Sequence, residues 1–69
     1  MNIRVLEKGS SPLGKEIHVQ LGRFSYVGIL KEIDIRNECI VIEDRFYKRS
    51  ILDMTKVEFF AFMEDKKER

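Results

Sequence analysis

His18 and Cys39 are the only histidine and the only cysteine of the chain, and their neighbours limit the chemistry open to them. His18 falls on the polar side of the alternating run Ile17-His18-Val19-Gln20-Leu21, with no cysteine or paired carboxylate close by in sequence. That setting predicts a surface histidine in preference to a pH switch or a ligand. Cys39 opens the β-branched run Cys39-Ile40-Val41-Ile42, where a free thiol is expected to act as a small buried hydrophobe. One cysteine and one histidine fall short of the roughly four ligands of a structural zinc site, and no intrachain disulfide can form. Carboxylates are plentiful, but Glu43-Asp44 sits in a turn and Glu32 and Asp34 share a strand face, so none is marked as half of an acid–base pair. There is no Gly-rich phosphate loop, serine nucleophile elbow or metal signature. The expectation is a binding protein with no catalytic residue, metal or cofactor.

Thirteen basic residues against twelve acidic ones leave a net charge of +1. This excludes a polycation that coats nucleic acid by bulk charge, so any such binding must come from a local arrangement. The amino terminus is charged throughout, and no window approaches the ~20 apolar residues of a membrane span. A cytoplasmic protein with no membrane partner is therefore expected.

The elements that must position these residues are short. Glu7 to Gly14 is rich in Gly, Ser and Pro and reads as a loop. Before it, Asn2 suits the cap of a short helix with Ile3 and Leu6 on one face and Gly9 as its stop, although Ile3 and Val5 suit a strand equally; the helix is favoured. Residues 17–21 alternate as a strand, Gly22-Arg23 makes a tight connection, and 24–34 form a long strand with Gly28 at a bend or bulge. Arg36-Asn37-Glu38 turns the chain into a buried strand over 39–42, and Asp44-Arg45 turns it again. Strands over 46–51 and 57–63 complete the set. The fold class is therefore mainly all-β, a small, five-stranded, strongly bent antiparallel barrel, in one domain over residues 1–63. The last six residues, 64–69, form a charged tail with too little apolar surface to stay ordered.

Ile17-His18-Val19-Gln20-Leu21, then Gly28-Ile29-Leu30-Lys31-Glu32-Ile33-Asp34, then Asn37 resemble the first motif of the Sm-like family. Phe46-Tyr47-Lys48-Arg49-Ser50-Ile51 resembles the second motif in its bacterial Hfq form, with Arg49 in place of a histidine and Ser50 in place of an alanine. The resemblance covers roughly residues 15–63. It implies an Sm-like barrel whose last two strands pair with neighbouring subunits in a hexameric or heptameric ring, and which binds single-stranded RNA as a chaperone or riboregulator. By the same resemblance Lys48 and Arg49 would line the pore, with Tyr47, Asp34, Arg36 and Asn37 as further RNA contacts. The aromatic that Hfq carries just after the Asp is replaced here by Ile35-Arg36, which leaves Arg36 to stack on a base and Asn37 to bond a base edge. Phe24 and Tyr26 are further stacking candidates.

Two observations bear on self-association. A chain of 69 residues lies just below the roughly 70–80 at which one core suffices without help. The run Val57-Glu58-Phe59-Phe60-Ala61-Phe62-Met63 is apolar on both faces, which suits an interface strand as well as a core strand covered by the amino-terminal segment. An alternative function, favoured by the near-zero charge, is a small barrel that serves as a protein-interaction or assembly module without nucleic acid.

Overall fold

The computed structural model describes residues 2–7 and 12–63; the tail at 64–69 and the helix stop at Gly9 lie outside the described residues. Ile3–Glu7 form a short helix, of 3-10 type. The Asn2 Oδ1 accepts from the Arg4 N–H at 3.0 Å, and three residues per turn put Ile3 and Leu6 on the same side. Both are buried.

Five strands follow: β1 (Glu16–Leu21), β2 (Phe24–Asp34), β3 (Cys39–Glu43), β4 (Arg49–Asp53) and β5 (Phe59–Phe62). They form one antiparallel sheet in the order β4-β3-β2-β1-β5. The fold is mainly β, as the sequence predicts. β1 and β2 meet at the two-residue turn Gly22-Arg23, where Gly22 takes φ 58°, a value that suits glycine because it has no Cβ to clash.

β2 is the strand that curls the sheet. Its first half, Phe24 to Ile29, pairs with β1, and its second half, Ile29 to Asp34, pairs with β3, with a bulge between Leu30 and Glu32. The two ladders overlap only at Ile29, so β1 and β3 lie beside different parts of one bent strand. Gly28 sits just before the bulge and carries the close approach: a Cβ there would lie 2.6 Å from the Glu43 carbonyl oxygen. The sequence places the special backbone position at Gly28, and the structure divides it into a close approach at Gly28 and a bulge around Lys31.

Alternate residues of the strands turn inward. Ile17, Val19, Leu30, Ile40, Ile42 and Leu52 are buried, with Ile3 and Leu6 from the 3-10 helix and Met54 and Val57 from the β4–β5 connection. Tyr26 packs on this core while Phe24 is exposed. Cys39 is half-buried, less enclosed than its β-branched neighbours suggest, because it lies on the outer side of β3 between the paired positions Asp34 and Asp53.

Two strand boundaries differ from expectation. The expected strand at 46–51 begins only at Arg49, because Phe46, Tyr47 and Lys48 belong to the turn before it. The expected strand at 57–63 is shortened to 59–62, because Asp53 caps a 3-10 helix over Met54–Lys56. Among the described residues no helix is long and apolar enough to cross a membrane.

Candidate nucleic-acid interface

The β3–β4 turn is built around one carboxylate. Asp44 Oδ1 accepts from the Phe46 N–H at 2.8 Å and from the Lys48 N–H at 3.0 Å. The Asp44 main chain donates to the Lys48 carbonyl at 2.9 Å and accepts from the Tyr47 N–H at 2.9 Å. A short acidic side chain that bonds its own following backbone is the usual way such a turn is fixed. The clamp forces Tyr47 to φ 66°, a left-handed conformation that costs a bulky residue about 1–2 kcal/mol. What it presents is four exposed side chains in a row: Arg45, Phe46, Tyr47 and Lys48. Phe46 is 69% exposed and Tyr47 82% exposed, far more than core aromatics tolerate. The Arg45 guanidinium lies 5.3 Å from the Phe46 ring centroid, within cation–π range.

Arg49 does not share this position. It opens β4 opposite Glu43, and its Nε lies 3.7 Å from Glu43 Oε2. Lys31 Nζ approaches the other oxygen of Glu43 at 3.5 Å. Arg49 is thus drawn along the sheet, and only Lys48 of the expected pair stands on the turn.

Asp34, Arg36 and Asn37 occupy the β2–β3 turn at the opposite end of β3. Asp34 Oδ1 accepts from the Asn37 main-chain N–H at 3.1 Å, and Oδ2 accepts from Asn37 Nδ2 at 2.8 Å. These bonds, the Asn37 side chain foremost, hold the Asp34 carboxyl below its ordinary value. Asp34 therefore orients the Asn37 amide and uses one of its two Nδ2 hydrogens, while the other hydrogen and the amide oxygen stay available. The neighbouring 3-10 helix is tied to the same turn by the Met54 N–H, which donates to the Glu38 carbonyl at 2.9 Å. Lys56, exposed on that helix, is a cation at this end that sequence reasoning passed over. Here, too, Asp53 is held below its usual range by the Thr55 hydroxyl and main-chain N–H.

The six residues expected to act together therefore fall into two groups within one chain. Tyr47 and Lys48, with Arg49 beside them, lie at one end of β3, and Asp34, Arg36 and Asn37 lie at the other. A five-residue strand separates the groups by about 16 Å. Sequence reasoning missed Arg45 and Phe46, and its available signal was Asp44, a residue type that clamps the backbone two positions on.

A cleft of about 400 Å³ adjoins the exposed turn. Val27, Ile29 and Phe46 supply its apolar wall, Gly28 lies among its lining residues, and Glu16, Glu43, Asp44 and Arg45 supply its polar rim.

The two sheet edges are the last two strands. On β4, Ile51 is 73% exposed, and on β5, Phe59 is 53% exposed. Phe60 and Phe62 lie opposite the buried Val19 and Ile17, whereas Phe59 and Ala61 lie opposite Gln20 and His18 on the outer face. β5 is thus apolar on both faces. His18 meets Phe59 edge-on, ring centroids 6.5 Å apart, and is partly covered rather than freely exposed.

No family model, curated protein or solved structure matches this chain.

Proposed function

We propose that this chain is an RNA-binding protein of Sm-like character that closes into a homo-oligomeric ring and binds single-stranded RNA. The observation that carries the RNA reading is the Asp44-clamped turn. It holds two aromatic rings and two cations in solvent, at the cost of a left-handed tyrosine. Folding alone gives no reason to hold such a group exposed. Unpaired bases stack on aromatic rings whatever their identity, and Arg45 and Lys48 meet the backbone charge. The Asp34-oriented Asn37, with Arg36 and Lys56, supplies a second contact at the far end of β3.

The ring reading rests on the edges. β4 and β5 end the sheet on opposite sides and carry the exposed Ile51 and Phe59, an arrangement that invites pairing with another copy. Repetition around a ring concentrates a positive turn that the net charge of +1 hides. RNA chaperoning or riboregulation in the cytoplasm is the physiological setting proposed for it.

Fluorescence anisotropy with short uridine- and adenosine-rich oligonucleotides tests the RNA reading. Expected are saturable binding that weakens with salt and a loss of at least tenfold when Phe46 and Tyr47 are both changed to alanine. An affinity that ignores both changes refutes the assignment of the turn. The same exposed edges also fit a protein-assembly module, and oligomers that form with no affinity for RNA favour that second reading.

A further inference from the structure

The cleft beside the turn carries chemistry that stacking and backbone charge do not use. It lies on the outer face, where Glu16, Ile29 and Glu43 form one row across β1, β2 and β3. Its volume, about 400 Å³, falls within the ~300–1,000 Å³ of small-molecule sites. The walls are apolar, made by Val27, Ile29 and the planar Phe46 ring. Gly28 is held glycine by the Glu43 carbonyl, since a Cβ would meet that oxygen at 2.6 Å, and the approach of β2 to the end of β3 shapes the cleft.

The polar groups at the rim decide what enters. Glu16, Glu43 and Asp44 are acceptors, and Arg45 is the one cation among the lining residues. A phosphate is repelled by that rim, so the part of a ligand that fits inside is planar, uncharged and rich in N–H donors. Glu43 is already shared by Lys31 and Arg49, and Asp44 Oδ1 is committed to the turn. Glu16, exposed at the rim, is left to accept from a ligand. A carboxylate with two oxygens is best matched by two adjacent donors. Among the four RNA bases only guanine offers them, as N1–H and the N2 amino group. Uracil offers a single N–H between two carbonyls, which a carboxylate repels, while adenine and cytosine offer one amino group beside an acceptor.

We propose that the cleft between Glu16, Ile29 and Phe46 is a base pocket selective for guanine, placed so that a strand crossing the Arg45–Lys48 turn inserts one guanine into it. This rests on the RNA-binding reading and adds base selectivity to it. The Phe46 ring then does two jobs, as a wall of the cleft and as part of the stacking turn.

The test is a titration of the isotope-labelled protein with each of the four nucleoside monophosphates, followed by amide NMR. Guanosine monophosphate is expected to shift the amides of Val27, Ile29 and Phe46 in a saturable way, and to bind at least tenfold more tightly than uridine monophosphate. Glu16→Gln should remove most of that preference, and Phe46→Ala should weaken guanosine binding tenfold. Equal shifts from all four nucleotides overturn the pocket, as does a matching response to arginine amide, whose guanidinium also carries paired donors. A uridine oligonucleotide is titrated in parallel. If it binds while the guanine preference is absent, the pocket alone fails; if neither binds, the RNA reading fails with it.

Discussion

Asp44 and Lys48 are joined by reciprocal main-chain and side-chain bonds. The Asp44 N–H donates to the Lys48 carbonyl at 2.9 Å, and the Lys48 N–H donates to Asp44 Oδ1 at 3.0 Å. The turn between them is a closed loop of hydrogen bonds, so its exposed side chains start from a fixed backbone. A preorganised surface loses less entropy on binding than a mobile one.

Asp44→Ala keeps the main-chain bond and removes both bonds to Oδ1. Two lost hydrogen bonds to an ionised acceptor should cost about 1–3 kcal/mol of stability, read by urea denaturation. RNA affinity should fall although no RNA-contacting side chain has changed. An unchanged affinity would mean that the turn's rigidity is irrelevant to binding.

Tyr47→Gly separates stability from function. Glycine adopts φ 66° without a Cβ clash but is more disordered when unfolded, so the variant should be between unchanged and about 1 kcal/mol more stable. Its RNA affinity should drop because the ring is gone. A destabilised variant would show that the tyrosine ring contributes to the fold.

Gly28→Ala tests the bend. The new methyl group would meet the Glu43 carbonyl oxygen and carbon at 2.6 and 2.9 Å, and both are backbone atoms that cannot swing aside. β2 and the end of β3 must separate, at about 1–3 kcal/mol. Thermal unfolding that matches the parent protein would contradict the close approach.

These positions also show how far the sequence could be read. Strict alternation at Ile17 and Val19 located β1, and Gly28 marked the bent strand, because both signals are local. The strong strand propensity of Phe46 and Tyr47 extends the predicted β4 to residue 46, and what overrides it is the Asp44 side chain turning back on its own backbone. The shortened β5 has a similar cause. Asp53 caps a 3-10 helix by accepting from Thr55, and the apolar Val57 reads as strand-like in the sequence although the core buries it at the end of that helix. The separation of Asn37 from Lys48 by the length of β3 could not be read locally, since it depends on which strands become neighbours.

Acid should reveal the Asp34–Asn37 bonds. The folded-state pKa of Asp34 lies below its ordinary value of 3.8, so the carboxylate contributes stability that is complete above that value and is lost as pH falls through the lowered folded value. Thermal unfolding between pH 6 and 2 should show a shallower acid loss for Asp34→Asn than for the parent protein. Parallel curves would indicate that these bonds do not favour the charged form.

Native mass spectrometry of the purified chain mixed with a short guanine- and uridine-containing oligonucleotide tests the central claim most directly, because it reads assembly and RNA together. The account predicts one dominant species, a hexamer or heptamer carrying bound RNA. A monomer at micromolar concentration, or a ring that never carries RNA, would contradict it.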